Sequence, residues 1–341
     1  MNNRVLFLDY LRVVACFMVM LVHACEPFYL GGLGTYIANS YDALWVTLVD
    51  SALRCAVPLF IMTSSYLLFP LKTDTASFFR RRAVRVLIPL AVWSLLYALV
   101  PMWGCSEGFD WKQNLANLTL NFNMHSGHLW FVYMLIGVYM LMPLLSPWAE
   151  KVGKKELQVY LGIWLFTTFI PLIRDWVSQE PLAFAYGPTG IPRQALYPLW
   201  GEASWNGYGT FYYISGFIGY LLLGLYFRKF VGELSWKKTL TVALPCWLSG
   251  FAIAFFGFLR RVAETSGGVF PAEGIINVAV YWETTWCNDT VGVALMAIAW
   301  ILLFKKINAG GHFYQKVLLP VSKSSYGIYL AHLLVLVPIS G

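Results

Sequence analysis

Three ionisable side chains, Asp9, Arg12 and His23, interrupt an apolar run that begins at residue 5. A charge at that depth in a membrane-crossing stretch costs about 2–3 kcal/mol on insertion scales, so such residues are functional candidates by default. Arg12 and His23 are eleven residues apart. That is about three helical turns, which sets both on one face roughly 16 Å apart along the axis. A neutral imidazole can take a proton from a hydroxyl or accept an acyl group itself. A guanidinium on the same face can hold an anion or fix a carboxylate. Asp9 lies one turn before Arg12 and is placed to pair with it. The other reading is therefore a structural ion pair below a hydrogen-bonded histidine.

The stretch Phe78-Phe79-Arg80-Arg81-Arg82-Ala83-Val84-Arg85 carries the second signal. Arg82 and Arg85 are i,i+3 neighbours on one helix face. They stand at what reads as a helix start, where the dipole also favours anions. Arg80 and Arg81 fit contacts with lipid phosphate at a membrane surface. Arg85 lies a full turn into the apolar run and fits that role poorly. A bidentate guanidinium there suits a phosphate-rich ligand such as coenzyme A.

The elements that hold these side chains are helices in lipid. Of 341 residues, 59% are apolar and 12% charged, and the mean hydropathy is +0.62. A soluble domain carries about 25% charged residues. Apolar runs of membrane-spanning length place spans near 5–27, 43–69, 83–103, 128–148, 157–176, 210–227, 239–259, 284–304 and 324–340. Glu273 to Phe304 is too long for one straight crossing and reads as an outer re-entrant piece followed by a span. The expectation is an all-α polytopic transmembrane helix bundle of nine to ten spans, one membrane domain over residues 1–341. Asp9 and Arg12 break the first run and no cleavage site follows it, so 5–27 is a retained span rather than a signal peptide.

With the N-terminus in the cytoplasm, the inner connections hold sixteen Lys and Arg and the outer ones five. That is the positive-inside pattern. The net charge of +7 is thus a topology signal, and nucleic acid drops out as a partner. The six cysteines are scattered without metal-ligand spacing. His125 and His128 lack a third ligand nearby, so no metal is expected. The outer connections 28–42, 104–127, 177–209 and 260–283 are long and aromatic. Pro181 to Trp205 includes Tyr186, Tyr197, Trp200 and Trp205, which serve as interfacial anchors or as a platform for sugar rings.

Arg12-x10-His23 together with Arg82-x-x-Arg85 resembles the paired signature of the acyltransferase family 3 membrane proteins. The chain is most similar to the short surface-polysaccharide O-acyltransferases of that family. Val57-Pro58-Leu59-Phe60-Ile61-Met62-Thr63-Ser64-Ser65-Tyr66 resembles the family's second span, with Ser65 where glycine is usual. His128-Leu129-Trp130 resembles its His-Leu-Trp segment, and Ser324-Ser325-Tyr326-Gly327-Ile328-Tyr329-Leu330-Ala331-His332 its late Ser-Tyr-Gly-Ile-Tyr-Leu-x-His element.

The resemblance implies transfer of an acyl group, acetyl by default and succinyl as the variant, across a bacterial inner membrane. Acyl-CoA would bind from the cytoplasm with its phosphates at Arg82 and Arg85, and with Arg81 beside them. His23 would be the catalytic residue and Arg12 its support or the donor's. The acceptor would be a hydroxyl of a lipid-linked or surface polysaccharide. Glu26, one turn beyond His23, is placed to orient it, although Pro27 reads as the helix end. His128 and His332 line the cavity or simply hydrogen-bond. Arg54 needs an anion, and Asp50 is one turn away. Family members continue with another span after the Tyr-Leu-x-His helix, whereas nine spans ending at Gly341 put this C-terminus outside. Association with a second copy is left open. The alternative is a secondary transporter, which would show matched broken helices and midplane carboxylates; Glu283 and Asp289 are too few and too near the outer surface.

Overall fold

The computed structural model describes residues 4–31, 36–37, 40–100, 109–118, 124–178, 200–201, 206–265, 274–275 and 283–340. The architecture is an all-α helix bundle. In chain order it runs α1 (Leu6–Tyr29), α2 (Ser40–Leu53), α3 (Ala56–Leu68) and α4 (Thr75–Arg82). A π-helical turn, Ala83–Leu87, joins α4 to α5 (Ile88–Leu99). Then come α6 (Trp111–Leu118), a 3-10 turn Met124–Leu129 feeding α7 (Trp130–Lys151), α8 (Lys154–Thr167) and α9 (Ile170–Ser178). A 3-10 turn at Gly209–Ile214 precedes α10 (Phe217–Lys229), followed by α11 (Trp236–Thr265). A 3-10 turn at Glu283–Trp286 leads to α12 (Val291–Phe304), and a π-helical turn Tyr314–Leu318 leads to α13 (Leu319–Ser340). Two-residue strands at Leu30–Gly31, Tyr36–Ile37 and Gly274–Ile275 pair antiparallel in that order.

Helix α1 packs against α2, α3, α12 and α13, so both of its signature residues are presented inside the bundle. Leu8, Leu11, Ala15 and Met18 are buried along it. Among the described residues, seven segments are long and apolar enough to cross a membrane: Leu6–Cys25, Leu44–Leu68, Thr75–Leu99, Ser126–Lys151, Lys154–Arg174, Trp236–Ala263 and Thr284–Phe304. The span expected at 324–340 falls on α13. The one expected at 210–227 falls on the 3-10 turn Gly209–Ile214 and α10, whose α-helical part has 13 residues. Helix α10 starts beside Asn288 and ends beside Phe69 and Val152, and Tyr220, Leu221, Leu222 and Leu225 along it are buried. A Cβ at Gly224 would stand 2.6 Å from the Ser65 Cβ, so only glycine permits this approach of α10 to α3. The Ser65 hydroxyl exploits the approach and donates to the Leu221 carbonyl at 2.5 Å.

The third span also starts earlier than expected. Asp74 caps α4 by accepting the Ser77 N–H at 2.9 Å, an N-cap interaction that starts the helix at Thr75. Its carboxyl is held below the usual range by that backbone N–H. Arg82 and Arg85 are therefore two turns or more inside the helix, and the helix dipole at its start does not act on them.

Several basic residues close helix C-termini, where the last carbonyls lack intrahelical donors. Arg228 donates to the Phe69 carbonyl at the end of α3, 2.9 Å. Lys229 donates to the Ala149, Glu150 and Val152 carbonyls at the end of α7, 3.0–3.1 Å. Lys305 reaches Val231 at 2.7 Å and Phe227 at 3.3 Å past the end of α10.

Candidate active site

The first correction concerns Asp9. Its carboxylate does not pair with Arg12. It accepts from Arg4 Nε and Nη2 at 2.6 and 2.8 Å, from the Tyr314 hydroxyl at 2.7 Å and from Ser322 at 2.6 Å. A carboxylate has about four acceptor sites, and all are taken. The reason is tertiary: the π turn and α13 bring two hydroxyls to Asp9 that no local spacing announces.

Arg12 instead lines a cavity of about 500 Å³ with Arg82, Arg85, Lys323, Tyr139 and Tyr326. Arg12, Arg82 and Arg85 have no hydrogen-bond or ion-pair partner among the described residues. Arg82 Nε is buried and unpaired, while its guanidinium lies 5.6 Å from the Tyr139 ring and 5.7 Å from Phe78. A cation withdrawn from water without a partner is costly, and an anionic ligand in the cavity would offset that cost. The π turn helps to aim the pair: the Tyr326 hydroxyl donates to the Val86 carbonyl at 3.0 Å and fixes the turn against α13. Such π turns concentrate at functional sites. Arg81 does not line this cavity. It borders a separate groove of about 330 Å³ with Ser77, Arg80 and Val84, and Arg85 borders both.

His23 lines a second, smaller cavity of about 100 Å³ with Arg54, His128, Trp130, Trp286 and Asn288. Three imidazoles gather there. The His23 and His332 ring centroids are 5.2 Å apart, and His332 and His128 are 5.1 Å apart, edge to face. His332 Nδ1 lies 2.5 Å from the Tyr329 carbonyl. A carbonyl only accepts, so Nδ1 carries the proton and Nε2 presents its lone pair. That Nε2 and both nitrogens of His128 are buried without a partner. The rings do not form a metal set: among the described residues no group of three or more His, Cys, Asp or Glu could hold an ion.

Arg54 is held as expected by Asp50, Nη2 to Oδ2 3.0 Å. Its guanidinium also lies 4.4 Å over Trp286, whose Nε1 donates to Ser51 at 2.9 Å. On the far wall, the Tyr220 hydroxyl donates to the Asn288 carbonyl at 2.5 Å, and Tyr208 donates to Asp289. Burial, with the Asp289 carboxylate adding to it, pushes the Tyr208 phenol well above its ordinary value. It therefore remains a donor and pins the 288–289 turn.

Helix α1 runs past Pro27 to Tyr29, because a proline in a last turn forfeits only one intrahelical hydrogen bond. The side chains of Glu26 and His125 lie outside the described residues, as does most of the aromatic stretch 181–205. Trp200 is described and is half-exposed, packed on Phe166 and Phe211.

The two cavities have two lining residues in common, Phe131 and Tyr329. Their rings meet edge to face, 5.4 Å between centroids, and the Tyr329 hydroxyl donates to the His128 carbonyl. Sequence reasoning gave no role to Phe131, Tyr139, Lys323, Tyr326 or Tyr329. The i,i+3 spacing of Tyr326 and Tyr329 on one helix face was the available signal; Tyr139 and Lys323 carry none.

A bundle that sets a cation-lined cavity against a histidine chamber is built for group transfer within a membrane. A family model described as an acyltransferase domain, of acyltransferase family 3, matches residues 5–341, and the chain belongs to that family. No curated protein and no solved structure matches. The protein is thus a multi-pass membrane acyltransferase.

Proposed function

We propose that the protein moves an acyl group, acetyl by preference, from cytoplasmic acyl-CoA to a hydroxyl of a surface glycan outside a bacterial inner membrane. The observation that carries this reading is the pair of residues common to the Arg12–Arg82–Arg85 cavity and the His23 chamber. The phosphates of the donor pair with the three arginines and Lys323, bonds that are charge-assisted and strong. The thioester then lies at Phe131 and Tyr329, within reach of the chamber. His23 takes the proton of the acceptor hydroxyl, and the oxygen attacks the thioester carbonyl carbon. The carbon–sulfur bond breaks, and the imidazolium returns its proton to the departing thiolate. The positive-inside count supports a cytoplasmic N-terminus. Trp130 in the chamber wall supports a sugar acceptor, whose ring faces pack on aromatic side chains.

The test is mass spectrometry of surface glycan from deletion cells complemented with wild type or with His23→Ala. One acyl mass unit should appear with wild type and be lost with the variant at equal membrane abundance. General-base removal costs about 10²- to 10⁴-fold. Wild-type acylation in His23→Ala cells would remove His23 from the chemistry, and no acyl gain with wild type would remove the glycan.

A further inference from the structure

We infer that Phe131 and Tyr329 form an aromatic constriction that admits only short acyl groups to His23, so the donor class is the short-chain acyl thioesters. The inference rests on the reading above, in which the donor enters through the arginine cavity. The two spaces differ fivefold in size, about 500 Å³ on the arginine side and about 100 Å³ on the His23 side. The His23 chamber is the tighter of the two, so an acyl chain that fits the arginine side meets a smaller space beyond the aromatic pair. A longer chain must either displace the acceptor or stay on the arginine side.

The constriction is held from several directions. Phe131 sits in the first turn of α7 and packs on Phe60 of α3, 5.8 Å between ring centroids. Tyr329 belongs to α13 and is tied through its hydroxyl to the His128 carbonyl on the 3-10 turn that opens α7. Both rings are buried. Tyr329 also accepts the His332 Nδ1–H on its own carbonyl, so the residue that narrows the passage also orients an imidazole beside His23. A rigid aromatic pair of this kind discriminates by methylenes. One extra methylene in a tight apolar site is worth about 10- to 200-fold in kcat/KM.

The experiment uses the full chain in nanodiscs with acetyl-, butyryl- and hexanoyl-CoA, and reads free thiol release and acyl gain on glycan acceptor. Wild type should fall at least about tenfold from acetyl to butyryl. Phe131→Ala should raise the hexanoyl-to-acetyl ratio at least about tenfold by removing the ring. Phe131→Leu and Tyr329→Leu are milder cuts that should move the ratio the same way if the alanine variant does not assemble. A wild type equally active with all three donors overturns the constriction and leaves the acyltransferase reading intact. Active leucine variants with an unchanged chain-length profile overturn it as well. Failure of wild type to release thiol from every donor instead sinks the acyl-CoA reading on which the inference stands.

Discussion

Lys229 donates to three backbone carbonyls at 3.0–3.1 Å, whereas Arg82 offers a buried Nε that nothing accepts. The same division runs through the basic residues of the bundle. Arg228, Lys229 and Lys305 are spent on helix ends, and Arg4 is spent on Asp9. Arg12, Arg82 and Arg85 face a cavity with no counter-charge among the described residues. Of the second group only Arg82 enters the positive-inside tally, since Arg12 and Arg85 lie within spans. Only the second can meet an incoming anion without first breaking a bond to its own chain, so the unpaired set marks the ligand side of the molecule.

That contrast can be broken by substitution. Arg82→Ala should raise the KM for acyl-CoA by about 10- to 150-fold, the worth of one hydrogen bond to a charged group at about 1.5–3 kcal/mol. The melting temperature in detergent should stay the same or rise, because a partly buried cation whose Nε has no acceptor is removed. A drop in stability with KM unchanged would show that Arg82 is structural after all. Lys229→Met should do the reverse. It orphans three carbonyls, lowers the melting temperature by about 2–6 °C and leaves KM alone. If it raised KM instead, the division between capping and binding cations would fail.

The smallest effect is expected at Asp74→Ala, which removes the cap of the helix that carries Arg82 and Arg85. The folded carboxyl has a depressed pKa. Its contribution is therefore fully present above the ordinary Asp value of about 3.9 and is lost as pH falls through the lower folded value. At neutral pH the variant should melt about a degree or two lower. The difference from wild type should close in strong acid, and a difference that persists there would rule out the ionised cap.

The reach of the sequence is seen in Arg12 and His23. Their eleven-residue spacing makes them neighbours along one helix, because the helical period is a local property of the backbone. The all-α membrane class, the Asp50–Arg54 pair and the arginine pair on the third span follow from equally local facts: apolar run length, an i,i+4 spacing and an i,i+3 spacing. Local rules misjudge whatever depends on a distant partner. Asp9 has Arg12 one turn away, yet Tyr314 and Ser322, more than three hundred residues on, help to fill its acceptors. Hydropathy places a span at α10 but cannot tell that much of its surroundings are protein rather than lipid. Where a π turn falls, and which rings close the passage between two cavities, are decided by packing between α3, α5, α7 and α13. Run length and helical spacing along the chain therefore settle what crosses the membrane and which residues share a face. Three-dimensional packing settles which cations stay unpaired and how His23 is walled in, because those outcomes depend on contacts that sequence separation does not encode.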